Sequence, residues 1–385
     1  MYPDYEKSVV NLIGSLAQAM GDKPIYEPLA GLDTKYLAEK DVIIMLNIDA
    51  MGMELLENIG KNTILGDNVK FELTSIFPST TACATVAYQT GMAAWNHGLT
   101  GWFVHLKELG ATSAILPFCP RYTWQSYEKN GIKIEDVLNC GSIFDRLNRE
   151  SYCITSKSLI GTPVTEYLTG KATCIPYKDL KGFTRQIIKT AKRKSKKKKY
   201  IYGYWSKLDH IEHRIGPDGA KTKNHFAEIC EAIEYLQKKL KKVNYILLIS
   251  TDHGMLEVTK DKILKAEDFP EFQKMLNLPL VGEPRVPYCY VKPEEKDKFT
   301  EFVQTEMKDY CQLYTREEII KTGWYGKGEE NSRFRDRIGD YILVMKENYI
   351  LRDKVLGGSG VSFRGYHGGI SSAEMRIPLI ILEKN

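Results

Sequence analysis

The sequence predicts an α/β fold: a mostly parallel sheet flanked by helices on both faces, with a smaller α+β unit inserted into it. Three observations predict it. The runs VIIMLNI (42–48), YIYGYW (200–205) and YILLIS (245–250) are nearly continuous in apolar residues, the pattern of strands buried on both faces. Helical patterns at 51–59 and 225–242 alternate with these runs. Each run also releases an aspartate at or just past its end, Asp49, Asp209 and Asp252, which in a parallel sheet places all three on the carboxyl edge where sites are built.

Taken in order, Val9, Val10, Ile13, Leu16, Ala17 and Met20 recur at helical spacing, which predicts an amphipathic helix rather than a signal peptide. Between Phe77 and Trp102 (FPSTTACATVAYQTGMAAWNHGLTGW) a turn leads into a helical run at 82–90 with Gly91 as its stop. Thr80 or Thr81 then stands at a helix N-terminus, where free N–H groups attract a phosphate. A loop-rich aromatic region follows to Trp124, then a helix at 141–149, a strand at 152–155 and a helix at 180–194. Charge-rich sequence from Glu257 to about Gly358 predicts strands at 286–291, 311–314 and 341–345, with helices near 294–310 and 316–321. The apolar run at 377–382 rejoins the main sheet. The expected division is a core of residues 1–256 and 359–385 and an inserted unit of residues 257–358.

The charge balance narrows the partners. Of the net +5, the run from Lys192 to Lys199 (KRKSKKKK) carries seven positive charges, leaving the remainder at −2, so polyanion binding is local if it occurs. That run predicts either a solvated loop or a weak contact with an anionic surface. Eight cysteines without a CxxC pair predict a reducing compartment and a cytoplasmic location, and no apolar run approaches the length of a membrane span.

The chemistry lies in scattered donors. Asp209 and His213 are four residues apart, one helical turn; Asp252 and His253 are adjacent; His367 sits in the turn GYHGG. With Asp49 these make six oxygen and nitrogen donors of the kind that suits zinc or manganese, and a threonine hydroxyl adds a seventh. Singly, such residues cap helices and close turns. Six of them following core strands point to one centre.

In these motifs the chain resembles the alkaline phosphatase superfamily and, within it, the type I phosphodiesterase/nucleotide pyrophosphatase branch. The matching stretches are IDAMG at 48–52, FPSTTACATVAYQTG at 77–91 with His97 and Gly98, LDHIEH at 208–213, STDHGM at 250–255 and YHGG at 366–369. The resemblance implies an alkaline phosphatase-like core with residues 257–358 as a cap domain. It implies two divalent cations, most often zinc and alternatively manganese: one on Asp209, His213 and His367, the other on Asp49, Asp252 and His253. It names Thr81 as the nucleophile and a metal ligand. The implied reaction is cleavage of phosphodiester or pyrophosphate bonds in a small phosphate ester or nucleotide-like substrate through a phospho-threonine intermediate. Phosphomonoester or phosphonate hydrolysis on the same site, and a non-catalytic polyanion-binding protein, are the alternatives.

One departure stands out. Relatives carry an asparagine four residues after the His-Gly pair, where its amide holds a phosphoryl oxygen, and this chain has Trp102. Asn96, and the backbone amides of Cys83 and its neighbours, are the candidates to hold that oxygen, with Trp102 itself beside the substrate.

Overall fold

The run Val42–Ile48 forms a strand buried along its whole length, and its alternating side chains explain the layers. Ile43 and Met45 point into a core shared with the helix Val9–Ala19 and with Cys83, Ala84 and Ala87. Ile44, Leu46 and Ile48 point into a second core with Phe183, Ile187, Ile229 and Leu236 of the helices Leu180–Lys192 and Ala220–Leu240. A central strand can be apolar throughout because helices cover both of its faces.

This is a computed structural model, and it describes residues 1–355 and 363–383. Among these residues the first sheet has seven strands in the order Val69–Thr74, Arg376–Glu383, Tyr245–Ser250, Val42–Ile48, Lys199–Trp205, Glu150–Ser156 and Thr173–Tyr177. The last five are mutually parallel. Arg376–Glu383 returns antiparallel beside Tyr245–Ser250, and Val69–Thr74 adds an antiparallel edge. No helix among the described residues is long and apolar enough to cross a membrane.

A second seven-stranded sheet is antiparallel throughout: Cys311–Thr315, Tyr341–Met345, Val286–Cys289, Val281–Glu283, Phe103–Leu106, Ala111–Ala114 and Cys119–Pro120. Here the structure departs from the expected division. Three of its strands come from residues 103–120, which belong to the expected core and read as loop, and Gly282 pairs with Phe103 to join the two contributions. Strands of two to four residues carry too little periodicity to be read singly. The expected boundary at 358/359 lies outside the described residues. The expected helix at 141–149 is only the 3-10 turn Ile143–Asp145, because Ser142 caps it and the chain then turns back at Arg146 to make the hydrogen bond from Asn148 to Met20.

Candidate active site

The carboxyl ends of three adjacent parallel strands present Asp49, Asp209 and Asp252 to one another. Asp49 follows Val42–Ile48 directly and donates its N–H to the Trp205 carbonyl of the neighbouring strand at 3.0 Å. Ala50 then adopts a left-handed φ of 65°, a conformation costing about 1 kcal/mol for a residue with a side chain. Two glycines let the segments close up: a Cβ on Gly52 would lie 2.6 Å from Gly254 Cα, and one on Gly254 would lie 2.0 Å from the Ala373 carbonyl oxygen. The motifs IDAMG and STDHGM thus require glycine because the two backbones touch.

Asp209 and His213 lie on the helix Lys207–Ile215, with His213 Nε2 3.2 Å from Asp209 Oδ1. His367 Nε2 lies 3.3 Å from His213 Nε2 and 3.9 Å from Asp209 Oδ1. In the other group, His253 Nε2 is 3.4 Å from Asp49 Oδ1, 3.6 Å from Asp252 Oδ2 and 3.0 Å from Thr81 Oγ1. His253 also reaches within 4.8 Å of Asp209 and His367, and its ring stacks on that of His367 at 3.7 Å. The two groups therefore share a wall.

The donors fit cations. Four ligands on a zinc–nitrogen distance of about 2.05 Å stand about 3.3 Å apart, close to most of the separations seen here. More telling, Asp49 Oδ1, Asp209 Oδ1 and Asp252 Oδ2 are buried without a hydrogen-bond partner. Unpartnered buried carboxylate oxygens are costly, and two facing His253 with a third facing His213 and His367 mark a place for positive charge. Burial, then Asp252 and Asp209, push the Asp49 carboxyl well above its usual range. Burial alone would raise Asp209, but His213 beside it holds it below the carboxylate range; burial opposes the charging of His213, and Asp209 overcomes it to bring that imidazole to about 9. The outer nitrogens are fixed by backbone carbonyls: His213 Nδ1 on Gly365 at 2.8 Å, His253 Nδ1 on Gly254 at 3.0 Å and His367 Nδ1 on Ser79 at 3.2 Å.

Thr81 is the first residue of the helix Thr81–Thr90, which Gly91 ends at φ 75°. Thr80, the preceding residue, uses its hydroxyl on Glu283 Oε1 at 2.7 Å, so only the Thr81 hydroxyl faces the donors. Ser79 Oγ donates to the Gly369 carbonyl at 2.7 Å, tying this loop to the His367 turn.

The structure gives Cys83, Asn96 and Trp102 the following partners. Cys83 donates its N–H to the Thr80 carbonyl at 3.0 Å, so its amide is spent inside the helix start; the N–H groups of Thr81 and Ala82, which precede it, have no backbone acceptor. Asn96 is not brought to the site. Its amide accepts from Tyr26 and the Ala93 N–H and donates to the carbonyls of Lys327 and Glu329, which saturates it. Trp102 gives its N–H to Glu283 Oε1 at 2.7 Å and offers no side-chain amide.

Three supporting groups escaped the sequence reading. Tyr204 donates its hydroxyl to Asp49 Oδ2. Its position near the end of YIYGYW was the available signal. Glu283, from the second sheet, bridges Thr80 and Trp102; burial raises its carboxyl to about 7 against those two hydrogen bonds. Arg285 and Glu374 form a fully buried ion pair at 3.1 Å, and Glu374 Oε1 also accepts the Gly369 N–H. No local pattern links residues so far apart in sequence.

Comparison with known proteins bears on this geometry. The sequence model of the family described as type I phosphodiesterase / nucleotide pyrophosphatase matches residues 43–370. A bis(5'-adenosyl)-triphosphatase of Xenopus laevis is 28% identical over 172 residues, covering 43% of this chain and 34% of that protein. The human ectonucleotide pyrophosphatase/phosphodiesterase family member 5 is 24% identical over 199 residues, covering 48% and 39%. The matched segments thus span little more than a third of these relatives. Among solved structures, murine ectonucleotide pyrophosphatase / phosphodiesterase 5 superposes with a TM-score of 0.64 at 18% identity, covering 89% of this chain and 87% of that one. An inactive form of the murine protein, a threonine-to-alanine variant, is known in complex with AMP and superposes with a TM-score of 0.62 at 18% identity, covering 88% and 87%. Phosphonoacetate hydrolase from Sinorhizobium meliloti superposes at 0.65 and 12% identity, covering 89% and 90%. These structural likenesses are likenesses of fold.

Proposed function

Because the chain belongs to the type I phosphodiesterase/nucleotide pyrophosphatase family, we propose that it hydrolyses phosphodiester or pyrophosphate bonds with the Thr81 hydroxyl as nucleophile. The observation that carries this reading is the placement of Thr81 Oγ1 3.0 Å from His253 Nε2, the nitrogen that also faces the buried, unbonded oxygens Asp49 Oδ1 and Asp252 Oδ2. Asp209, His213 and His367 would hold one divalent cation and Asp49, Asp252 and His253 a second, with zinc or manganese suited to these donors. When bound, the cations would lower the pKa of the hydroxyls beside them and offset the charge of the phosphoryl group.

The rest falls to the chain. Thr81 Oγ attacks phosphorus as the bond to the leaving oxygen breaks, giving a phospho-Thr81 intermediate; water then displaces Thr81 Oγ and restores the hydroxyl. The amides of Thr81 and Ala82, at the positive end of the helix Thr81–Thr90, would hold an equatorial phosphoryl oxygen, the role the sequence offered to Cys83 and its neighbours. Thr80 and Ser79, locked onto Glu283 and Gly369, fix the direction of the Thr81 side chain. A diester is favoured over a monoester dianion because the arginines flanking the His367 turn are already paired, Arg285 with Glu374 and Arg364 with Glu257. The AMP held by the murine relative supports a nucleotide-like substrate. Eight unpaired cysteines, seven of them buried, support a reducing compartment, which would be the cytoplasm.

The test is metal content together with turnover of a bis-aryl and a mono-aryl phosphate by wild type and Thr81→Ala. The expected result is bound divalent metal in both, preference for the bis-aryl ester, and loss of turnover in the variant. Acid-quenched wild type should carry a phosphoryl group on the Thr81 peptide. A fully active Thr81→Ala variant would overturn the mechanism.

A further inference from the structure

The lysine run takes no part in this chemistry, yet the fold gives it company. The helix Leu180–Lys192 ends in the run, and the helix Ala220–Leu240 ends next to it with Lys238, Lys239, Lys241 and Lys242. Together the two helix ends and the amino ends of the adjacent strands enclose a groove of about 1040 Å³ lined by eleven lysines and arginines and a single carboxylate, Asp41. Glu150 faces Arg193 and Lys199 from the neighbouring strand, and Glu39, whose carbonyl accepts from Lys198, lies at the rim.

Two of the eleven have structural work: Lys198 donates to the Ala38 and Glu39 carbonyls, and Lys199 closes the helix end at Thr190, Ala191 and Arg193. The other nine are exposed. Tyr235, one turn before the lysines on the same helix, is 52% exposed with Lys239 Nζ 5.2 Å above its ring.

We propose that this groove binds the backbone of a single-stranded nucleic acid, with Tyr235 as a stacking platform for a base. A concave, two-walled row of cations follows a flexible phosphate chain and meets a flat bilayer poorly. The apolar lining residues are confined to Val42, Ala191 and Val243, too short to insert into a lipid surface, whereas an exposed aromatic beside free cations is the pairing that single-strand sites use. The groove opens at the amino edge of the sheet, about 20 Å along the strands from the aspartates, so it is a docking site and not part of the hydrolytic centre.

Fluorescence anisotropy of a labelled twelve-nucleotide oligouridylate with the full chain tests this, beside vesicles containing phosphatidylserine and inorganic polyphosphate. Wild type should bind the oligonucleotide with a log–log salt slope of about −4, corresponding to roughly six phosphate contacts. The combined variant K238E/K239E/K241E/K242E should bind roughly 30-fold more weakly at moderate salt while hydrolysing a bis-aryl phosphate at the wild-type rate. Tyr235→Ser should cost about tenfold on the oligonucleotide and nothing on polyphosphate. Binding that is insensitive to the four charges would overturn the proposal. So would retention on the vesicles without oligonucleotide binding, or equal losses on polyphosphate and oligonucleotide for Tyr235→Ser.

Discussion

The metal-ligand candidates gather at the carboxyl edge of the first sheet, on its loops and on the helix Lys207–Ile215, whereas the second sheet sends Glu283 and Arg285 toward the site, and both end on protein partners. One sheet carries donors left deliberately unsatisfied, with bare oxygens on Asp49, Asp209 and Asp252. The other brings to the site groups that already have partners, Arg285 on Glu374 and Glu283 on Thr80 and Trp102. The difference teaches a division of labour: unpaired buried charge marks where a ligand must come, and paired buried charge marks where two parts of the fold are held in register.

Substitutions should separate the two. The largest effect is expected at Asp49. Asp49→Asn should lower turnover by about a thousandfold or more, with metal content reduced, yet leave the chelated protein as stable as wild type or more so, because a buried charge without a cation is removed. Turnover, metal analysis and urea unfolding in chelator check this. A chelated variant markedly less stable than wild type would make Asp49 a structural residue and break the comparison.

Next, Arg285→Met should destabilise the protein by about 3–5 kcal/mol, since it leaves Glu374 buried and unpaired beneath the Gly369 amide. Urea unfolding measures the loss, and turnover of the folded fraction should fall far less than in Asp49→Asn. Glu283 sharpens the contrast through pH. Its folded carboxyl, near 7, lies above the ordinary 4.5, so the folded chain keeps a proton that the unfolded chain has lost. Its stabilising contribution is fully present below 4.5 and is lost as pH rises through 7, by about 3 kcal/mol in total. In Glu283→Gln that slope should vanish from the unfolding free energy measured between pH 5 and 8 in chelator. The smallest effect is expected at Asn96: Asn96→Ala should cost about 1–2 kcal/mol of stability through its lost hydrogen bonds and leave KM unchanged. A raised KM with unchanged stability would return Asn96 to the substrate site.

The parallel core and its six donors were legible in the sequence because a strand buried on both faces is apolar along its length and its end is marked by the first charged residue. Asp49 and Asp252 were found in that way, and Asp209 with His213 by helical spacing. The second sheet was legible only in Val286–Cys289, Cys311–Thr315 and Tyr341–Met345. Phe103–Leu106 and Ala111–Ala114, which carry no sustained apolar run, look locally like loop, and Gly282 recruits them through a pairing with Phe103 far away in sequence.

The sequence by itself determined that apolar strands alternate with helices and offered the six donors as candidates, because both depend on residue type and local period. Tertiary structure alone decided that the Thr80 hydroxyl is spent on Glu283, which amides at the helix start are open, that Asn96 is spent elsewhere, and that two lysine clusters meet across one groove. Those answers depend on partners dozens to hundreds of residues away, and the periodicity of a single segment holds no record of them.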